Sequence, residues 1–249
     1  MDERGVGPAP SRPAADDGPR IVEMSGEDLR DVLGGVGLSR VRPVLVLVGG
    51  ADGMDGLVLD RTGSLFGRVL VPLLDEHGIA VVDGGTDAGV MRAIGRARST
   101  AGGRFPLVGV AAHGTVAPVG AGTADTAVPE PHHTHLLLVP GDTWGDEAPW
   151  LAMVADLVAG DLPTATLLVN GGEIAYADVE RSLERERPVL VLTGTGRTAD
   201  AIADAIAGGP ADPRAARIAS RRDLVRSVPI QAPGELRSVL GEMLGVTSG

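Results

Sequence analysis

The segment Val81-Val82-Asp83-Gly84-Gly85-Thr86-Asp87-Ala88-Gly89-Val90-Met91 runs from an apolar strand through two glycines into the start of a helix. Glycines let the chain turn tightly there, and they let a ligand approach the peptide N–H groups at the helix N-terminus. The helix dipole favours a negative group at that position. The segment therefore predicts a strand-turn-helix unit with a candidate anion-binding turn. A turn that serves packing alone is the alternative.

Similar glycine-rich turns follow three other predicted strands, at 48–53, 169–173 and 192–197. The carboxyl ends of parallel strands lie at one edge of a sheet, and open α/β sheets bind ligands at that edge. Arg197 ends the last of these turns, where its guanidinium would hold a phosphate through two hydrogen bonds. A surface ion pair of Arg197 with Asp200 or Asp204 is the alternative.

Short β-branched runs alternate with amphipathic segments along the chain. This alternation predicts an α/β fold, namely a Rossmann-like, doubly wound, mostly parallel sheet with helices on both faces. The predicted strands are 44–48, 79–82, 107–111, 136–139, 166–169 and 189–192, and the predicted helices are 62–76, 88–99, 147–158, 176–187, 198–207 and 234–244.

A chain of 249 residues fits one large domain or two small ones. We expect a disordered tail over 1–20, which is rich in Pro, Ala, Gly and charge, and a single domain over 21–249. Its core is expected at about 44–207, followed by a C-terminal helical extension over 208–249. The stretch 112–132 has no clear period, which predicts a functional loop or a poorly ordered one.

The composition excludes several kinds of chemistry. All 22 basic residues are arginine, so a Schiff-base lysine and a P-loop lysine are excluded, and the absence of cysteine excludes disulfides and thiolate catalysis. The net charge of -11 argues against nucleic acid or an anionic membrane as a partner. No apolar run approaches the length of a membrane span and no signal peptide is recognisable, so we expect a cytoplasmic protein. Acidic α/β domains often form dimers, which makes a homodimer a candidate assembly.

Two further groups of residues are candidate ligand contacts. His133 and His135 would lie on one face of an extended segment, where they would contact a polar ligand or hydrogen-bond locally; with no cysteine and no placeable carboxylate beside them, we expect no metal. Trp144 would stack on a base or ribose, or else pin a helix to the sheet together with Trp150. No serine or cysteine nucleophile motif is present, so acid-base carboxylates are the remaining catalytic candidates: Asp83, Asp146, Glu147, Glu173 and Asp178.

Taken in order, several motifs resemble a known family. They are Gly84-Gly85-Thr86 with Gly89-Val90-Met91, His133-Thr134-His135, Trp144-Gly145 before Glu147, Gly171-Gly172, and Gly194 to Asp200. This series resembles the SLOG domain found in TRPM channels (LSDAT type) and its stand-alone prokaryotic relatives. The resemblance covers roughly residues 44–207.

The resemblance implies a Rossmann-like sheet with a pocket for a nucleotide derivative, ADP-ribose being the ligand associated with the channel type. The LOG enzymes, which cleave the N-glycosidic bond of nucleotide monophosphates, are more distant relatives. Where their motif carries a Gly-Thr pair and a glutamate, this chain has Ile174-Ala175 and Asp178. Channel-type domains carry a basic residue after the position of Trp150, where this chain has Leu151.

From these observations we expect the binding or sensing of a nucleotide-derived small molecule, without a cofactor. Catalysis as a nucleotide N-glycosidase or hydrolase, through Asp178 or Glu173, is the alternative. The expected ligand-binding residues are Gly49, Gly50, Ala51, Gly84, Gly85, Thr86, Gly89, Val90, Met91, His113, Gly114, His133, His135, Trp144, Asn170, Gly171, Gly172, Glu173, Thr193, Gly194, Thr195, Gly196 and Arg197.

Overall fold

The computed structural model describes residues 18–24, 28–50, 53–117, 123 and 125–246. The strands are β1 (Arg20–Glu23), β2 (Val44–Gly49), β3 (Ala80–Asp83), β4 (Leu107–Ala112), β5 (His135–Val139), β6 (Thr164–Val169), β7 (Val189–Thr193) and β8 (Val225–Pro229). The helices are α1 (Leu29–Gly35), α2 (Gly56–Leu65), α3 (Val71–His77), α4 (Gly89–Ala101), α5 (Ala148–Ala159), α6 (Glu173–Glu184), α7 (Arg197–Ile206), α8 (Pro213–Ser220) and α9 (Pro233–Met243). A π-helical turn, Phe66–Leu70, joins α2 to α3.

The eight strands form one sheet in the order β1-β5-β4-β3-β2-β6-β7-β8, and each neighbouring pair is parallel. From β2 the chain steps outward through β3 and β4 to β5, and α5 then returns it to β6 on the other side of β2. The strand order therefore reverses between β2 and β6. At such a switch point the loops diverge and leave a crevice at the carboxyl edge of the sheet.

Helices cover both faces of the sheet, and the alternation of side chains along β2 shows how. Val44, Val46 and Val48 point into a core shared with α1, α5, α6, α7 and α8, whereas Leu45 and Leu47 point into a second core shared with α2, α3, α4 and α9. The predicted α/β fold is confirmed. No helix in the described part of the chain has both the length and the apolar character needed to cross a bilayer.

Neither edge strand, β1 or β8, was predicted from the sequence. Arg20, placed in the expected tail, opens β1, while residues 1–17 of that tail lie outside the described residues. The expected helical extension after 207 also contains β8, which completes the sheet beside β7. Leu236 and Leu240 of α9 are fully buried in the second core, so this helix packs on the face of the sheet and not on its edge.

Gly85, the second glycine of the 81–91 segment, is required by close packing as well as by the turn. Gly85 has a positive φ of 66°, and a Cβ at this position would lie 2.7 Å from the Cα of Gly109 in β4. Only glycine satisfies both conditions, which explains why the strand-to-helix turn after β3 is glycine-rich.

Candidate functional site

A cavity of about 370 Å³ opens at the carboxyl edge of the sheet, at the switch point between β2 and β6. We call it the rim cavity. It is lined by Leu47, Val48, Gly49, Gly50, Gly84, Thr86, Met91, Ala111, Thr115, Trp144, Glu147, Ala148, Leu151, Gly172, Glu173, Ile174, Ala175, Asp178 and Arg197.

One end of the rim cavity brings the Arg197 guanidinium close to the N-terminus of α6. Gly172 is the N-cap of α6, and Arg197 opens α7 with a positive φ of 52°. A Cβ at Gly172 would lie 3.0 Å from Arg197 Nη2, and one at Gly53 would lie 2.9 Å from Arg197 Nη1. The guanidinium therefore spans the crevice between the turns that follow β2 and β6, beside the positive end of the α6 dipole.

The helices that begin at the glycine-rich turns lack side-chain caps. The N-cap residues of α4, α6 and α7 are Ala88, Gly172 and Gly196, whose side chains cannot accept a hydrogen bond. By contrast, Asp28 and Asp55 accept hydrogen bonds from the first turns of α1 and α2. In α4 and α7, Val90 N and Ala199 N donate to Gly50 O and Asn170 O of neighbouring turns at 3.3 and 2.8 Å. The first peptide N–H groups of a helix have no partner within it, so the uncapped first turn of α6, which lines the rim cavity, offers donors to a ligand.

Thr86 adds a polar side chain to the wall of the rim cavity. It is only 1% exposed, and its Oγ1 is buried without a hydrogen-bond partner among the described residues. A buried polar group without a partner is costly. A ligand or an ordered water in the rim cavity would supply that partner.

Two carboxyl groups, Glu147 and Asp178, lie together in the rim cavity. Burial, followed by the nearby Glu147 carboxylate, raises the pKa of Asp178 to about 7, against a smaller opposing effect of Arg181. Burial also raises the pKa of Glu147, although Gly145 N–H donates to its Oε2 at 2.9 Å. Near neutral pH, Asp178 is therefore protonated in part of the molecules, so the Glu147–Asp178 pair can either donate a proton or accept one.

Glu173, the other predicted acid-base candidate, lines the rim cavity but is paired with a residue beyond it. Its side chain is 79% exposed, and its carboxylate lies 2.8 Å from Arg214 Nη2. Arg214 in turn lies over the ring of Tyr176, 4.3 Å from its centroid, and the Tyr176 hydroxyl donates to Asp212 at 2.9 Å. The N-cap of α8 is thus tied to the first turn of α6, and Asp178 is the better-placed acid.

Two large apolar side chains that line the rim cavity are also open to solvent. Trp144, between β5 and α5, and Ile174, in the first turn of α6, are each 42% exposed. Exposed large apolar groups in a cavity that also holds charged side chains suit a ligand with one flat, weakly polar part.

Of the expected ligand-binding residues, the structure gathers nine in the lining and places nine more in the same strand-to-helix turns. The nine are Gly49, Gly50, Gly84, Thr86, Met91, Trp144, Gly172, Glu173 and Arg197. Gly85, Gly89, Val90, Asn170, Gly171, Thr193, Gly194, Thr195 and Gly196 belong to the same turns without being in the lining, and Ala51 lies outside the described residues.

The turn after β7 is hydrogen-bonded to the end of β6, next to the residues that line the rim cavity. Asn170 N donates to Thr195 Oγ1 at 2.8 Å, and Asn170 Nδ2 donates to Thr195 O. Asp200, suggested above as an alternative ion partner of Arg197, accepts from the N–H groups of Gly194 and Gly196 at 2.7 and 3.0 Å.

The three predicted histidines do not reach the cavity lining. His113 is exposed in the 3-10 turn after β4, and Gly114 N donates to Gly141 O at 2.9 Å. His135 lies at the amino end of β5, with Nε2 3.1 Å from Val36 O, so it stabilises the start of the strand. His133 is 3% exposed and is bonded on both ring nitrogens. Within the described ranges, no group of three His, Asp or Glu side chains is arranged to hold a metal ion.

The expected set omitted several lining residues that come from different elements. Thr115 had no motif of its own, and the pairing of Glu147 with Asp178 depends on how α5 packs against α6. The family resemblance had drawn attention to the positions of Leu151 and Ile174, and both line the cavity.

A larger groove of about 470 Å³ lies on the outside of α2 and α4, away from the glycine-rich turns. We call it the α2–α4 groove. Its sides carry Arg68, Arg92 and Arg96, and its floor is formed by small residues such as Gly63 and Ala97. Arg92 is already paired with Asp87 at 2.7 Å.

Comparisons with known proteins agree with this architecture. The mouse (Mus musculus) transient receptor potential cation channel subfamily M member 2 is 25% identical over an alignment of 180 residues, and the match covers 57% of this chain and 12% of the channel. The rat (Rattus norvegicus) protein of the same name is 24% identical over an alignment of 184 residues, and the match covers 59% of this chain and 12% of the channel. This chain therefore spans only about an eighth of those relatives.

Among solved structures, the X-ray structure of TM1055, a Northeast Structural Genomics Consortium target, has a TM-score of 0.50 at 19% identity. The match covers 80% of this chain and 99% of TM1055, and it supports the fold. The family model described as SLOG in TRPM, prokaryote, matches residues 42–236. The match includes seven of the eight strands and the glycine-rich turns around the rim cavity, and the chain belongs to this family.

Proposed function

We propose that this protein binds a phosphate-bearing, nucleotide-derived small molecule in the rim cavity. The observation that carries the proposal is the juxtaposition of Arg197 with the uncapped N-terminus of α6 at Gly172, inside a cavity at the switch point of a parallel sheet. Peptide N–H groups, the helix dipole and a guanidinium together form a strong phosphate site. The family match is consistent with such a ligand.

The remaining walls suit the rest of a nucleotide. Glu147 and Asp178 can exchange hydrogen bonds with sugar hydroxyls, and Thr86 Oγ1 offers a further polar contact. Trp144 and Ile174 present apolar surface to a base. Leu151 lines the cavity where channel-type domains carry a basic residue, so we expect one phosphate to be held firmly and a second one less so.

Titration calorimetry with AMP, ADP-ribose, cyclic ADP-ribose and NAD tests the proposal. We expect at least one of them to bind with a dissociation constant below about 1 mM, and adenosine, which has no phosphate, to bind at least tenfold more weakly. Failure of every nucleotide to bind at millimolar concentration to a well-folded sample would contradict the proposal.

Hydrolysis of the N-glycosidic bond is a second candidate, and the position of Asp178 favours it. A carboxyl group with a pKa raised to about 7, in a cavity beside a second carboxyl group, suits a general acid or base at neutral pH. Chromatography after long incubation with AMP would reveal adenine and ribose 5-phosphate. We expect the Asp178→Asn variant to lose any such turnover and Glu173→Gln to retain it, because Glu173 is exposed and paired with Arg214. Equal turnover by both variants would exclude Asp178 from this role.

A further inference from the structure

A buried charged cluster lies behind the wall of the rim cavity. The His133 imidazole bridges two carboxylates, with Nε2 2.8 Å from Asp83 Oδ1 and Nδ1 2.8 Å from Glu130 Oε2. The side chains of all three residues are at most 1% exposed. We call these three residues the His133 cluster.

The His133 cluster is bonded directly to the turn that forms the cavity wall. Asp83 Oδ1 also accepts from Gly85 N at 2.8 Å, and Gly85 O accepts from Glu130 N at 3.0 Å. Next to these bonds, Asp87 N donates to Val128 O at 2.8 Å. The cluster thus joins residues 127–130, in the connection from β4 to β5, to the turn that carries the lining residues Gly84 and Thr86.

The fold makes room for the Glu130 carboxylate deep inside the protein. A Cβ at Gly95 of α4 would lie 2.1 Å from Glu130 Oε2, so only glycine allows the carboxylate to rest on the helix backbone. His132 contributes two more hydrogen bonds to Glu130, from its backbone N at 2.9 Å and its Nδ1 at 2.7 Å.

The electrostatics of the cluster favour a protonated His133. Burial alone would lower the pKa of this imidazole, but the Asp83 and Glu130 carboxylates outweigh it and raise the pKa to about 9. Burial disfavours the ionised form of Glu130 and by itself would raise its pKa. Hydrogen bonds from His133 and His132 outweigh burial, and the pKa of Glu130 is lowered. The other charged groups nearby are His132, which is 33% exposed, and Arg98 of α4, whose Nη1 donates to His132 O at 3.1 Å.

We propose that His133 is a positioning residue of the rim cavity: by bridging Asp83 and Glu130 it fixes the 84–86 turn and the 127–130 segment in the geometry that forms the cavity wall. The proposal rests on the proposed function only in taking this wall to be a ligand-binding surface. When the imidazole loses its proton, two buried carboxylates face a neutral ring, and the pairing between turn and segment weakens.

The pH dependence of this pairing follows from proton linkage. A histidine whose pKa is higher in the closed state contributes its full stabilisation below its ordinary value of 6.5, and the contribution is lost as the pH rises to about 9. For one proton, the equilibrium constant for opening rises up to tenfold per pH unit across this window, and then levels off.

Hydrogen exchange of the unliganded full chain tests the proposal. Protection factors, corrected for intrinsic exchange, would be measured by quench-flow labelling at 5 °C from pH 5.5 to 9.5. The reporter amides are Asp87 and Glu130, and the reference amide is Thr166, which donates to Pro188 O in the distant β6–β7 region. We expect reporter protection to fall roughly 100-fold between about pH 6.5 and 9, with Thr166 unchanged. Constant protection at the reporters would overturn the proposal.

Variants separate positioning from general stability. His133→Asn should give low, pH-independent protection at Asp87 and Glu130, whereas the control His135→Asn, which alters a histidine outside the cluster, should keep the wild-type profile. If His133→Asn does not fold, Glu130→Gln serves instead, because removing one carboxylate should move the fall in protection to lower pH. An unchanged profile in Glu130→Gln would also overturn the proposal.

The same samples keep this inference distinct from the proposed function. If AMP binds, its affinity should be measured in the Asp178→Asn background, because the Asp178 carboxyl of the cavity also titrates near pH 7. In that background the affinity should decrease from pH 7 to pH 9 together with the protection, and an unchanged affinity would show that the turn is not part of the binding surface. If AMP and the other nucleotides do not bind at any pH, the proposed function fails, while the exchange profile still decides whether His133 positions the turn.

Discussion

Arg197 and Gly172 belong to turns that follow different strands, yet the guanidinium of Arg197 lies directly against the backbone of Gly172. The space left by the missing Gly172 side chain is filled by the guanidinium, since a Cβ there would lie 3.0 Å from Nη2. This contact places a permanent cation beside the positive end of the α6 dipole, at the rim cavity.

The Gly172→Ala substitution should displace the guanidinium and weaken nucleotide binding. Gly172 has a φ of -118°, which alanine adopts readily, so the fold should be preserved. We expect AMP affinity to fall roughly tenfold in calorimetry, which corresponds to about 1.4 kcal/mol. Gly234→Ala is the matched control, because a Cβ at Gly234 meets no atom within 4 Å. Wild-type affinity in Gly172→Ala would show that Arg197 does not hold the ligand.

The Gly85→Ala substitution should destabilise the protein through packing as well as through backbone conformation. Gly78→Ala provides the comparison, because Gly78 has a similar φ of 64° but an open surrounding, whereas a Cβ at Gly85 would strike Leu136 at 2.6 Å and Gly109 at 2.7 Å. Urea unfolding should show a loss of about 1 kcal/mol for Gly78→Ala and at least about 3 kcal/mol for Gly85→Ala. Equal losses of unfolding free energy in the two variants would mean that the contact between Gly85 and Gly109 rearranges to accommodate the added Cβ.

Asp178→Asn should stabilise the folded protein at high pH and have little effect at low pH. Because burial raises the pKa of the Asp178 carboxyl to about 7, the folded state resists its ionisation. The resulting penalty is absent below about pH 3.8, grows as the pH rises, and is complete above about pH 7. Asparagine removes it, so the free energy of unfolding should rise by about 1–3 kcal/mol at pH 8 and hardly at all at pH 4. A gain of equal size at both pH values would contradict this explanation.

Trp144→Ala should weaken the binding of ligands that carry a base. Trp144 is 42% exposed and lines the rim cavity, and stacking of a base on an aromatic ring contributes about 1–3 kcal/mol. AMP affinity should fall at least fivefold in Trp144→Ala and be largely retained in Trp144→Phe. Ribose 5-phosphate has no base, so its affinity should not change; if it falls as much as that of AMP, Trp144 acts on the sugar-phosphate part or on the fold.

The central strands could be predicted from the sequence because each is buried on both sides and reads as an apolar run, as Leu45, Val46 and Leu47 show. The edge strands could not. β1 and β8 each pair with one neighbour only, and polar residues interrupt them, including Glu23 and Arg226. Their pairing is decided by the completed sheet and not by a local pattern.

The glycine-rich turns of the site were predictable because each is a local feature between a strand and a helix. Gly172 and Arg197 could be named from their own turns, but their contact follows from the neighbouring positions of β6 and β7. The same holds for Glu147 and Asp178, which come from helices that meet only in the folded protein. His133 was expected near a ligand, whereas the structure places it behind the wall, bonded to Asp83 across 50 residues of chain.

The proposed function requires that a phosphate-bearing ligand binds in the rim cavity and not elsewhere on the surface. Backbone amide shifts in ¹H–¹⁵N NMR spectra during an AMP titration test this directly, because the rim cavity and the α2–α4 groove have different residues. We predict saturable shifts at Gly50, Gly172 and Ile174, with Arg96 and Thr100 unaffected. Saturable shifts confined to Arg96 and Thr100, or no shifts at millimolar AMP, would contradict the binding of a phosphate-bearing ligand in the rim cavity.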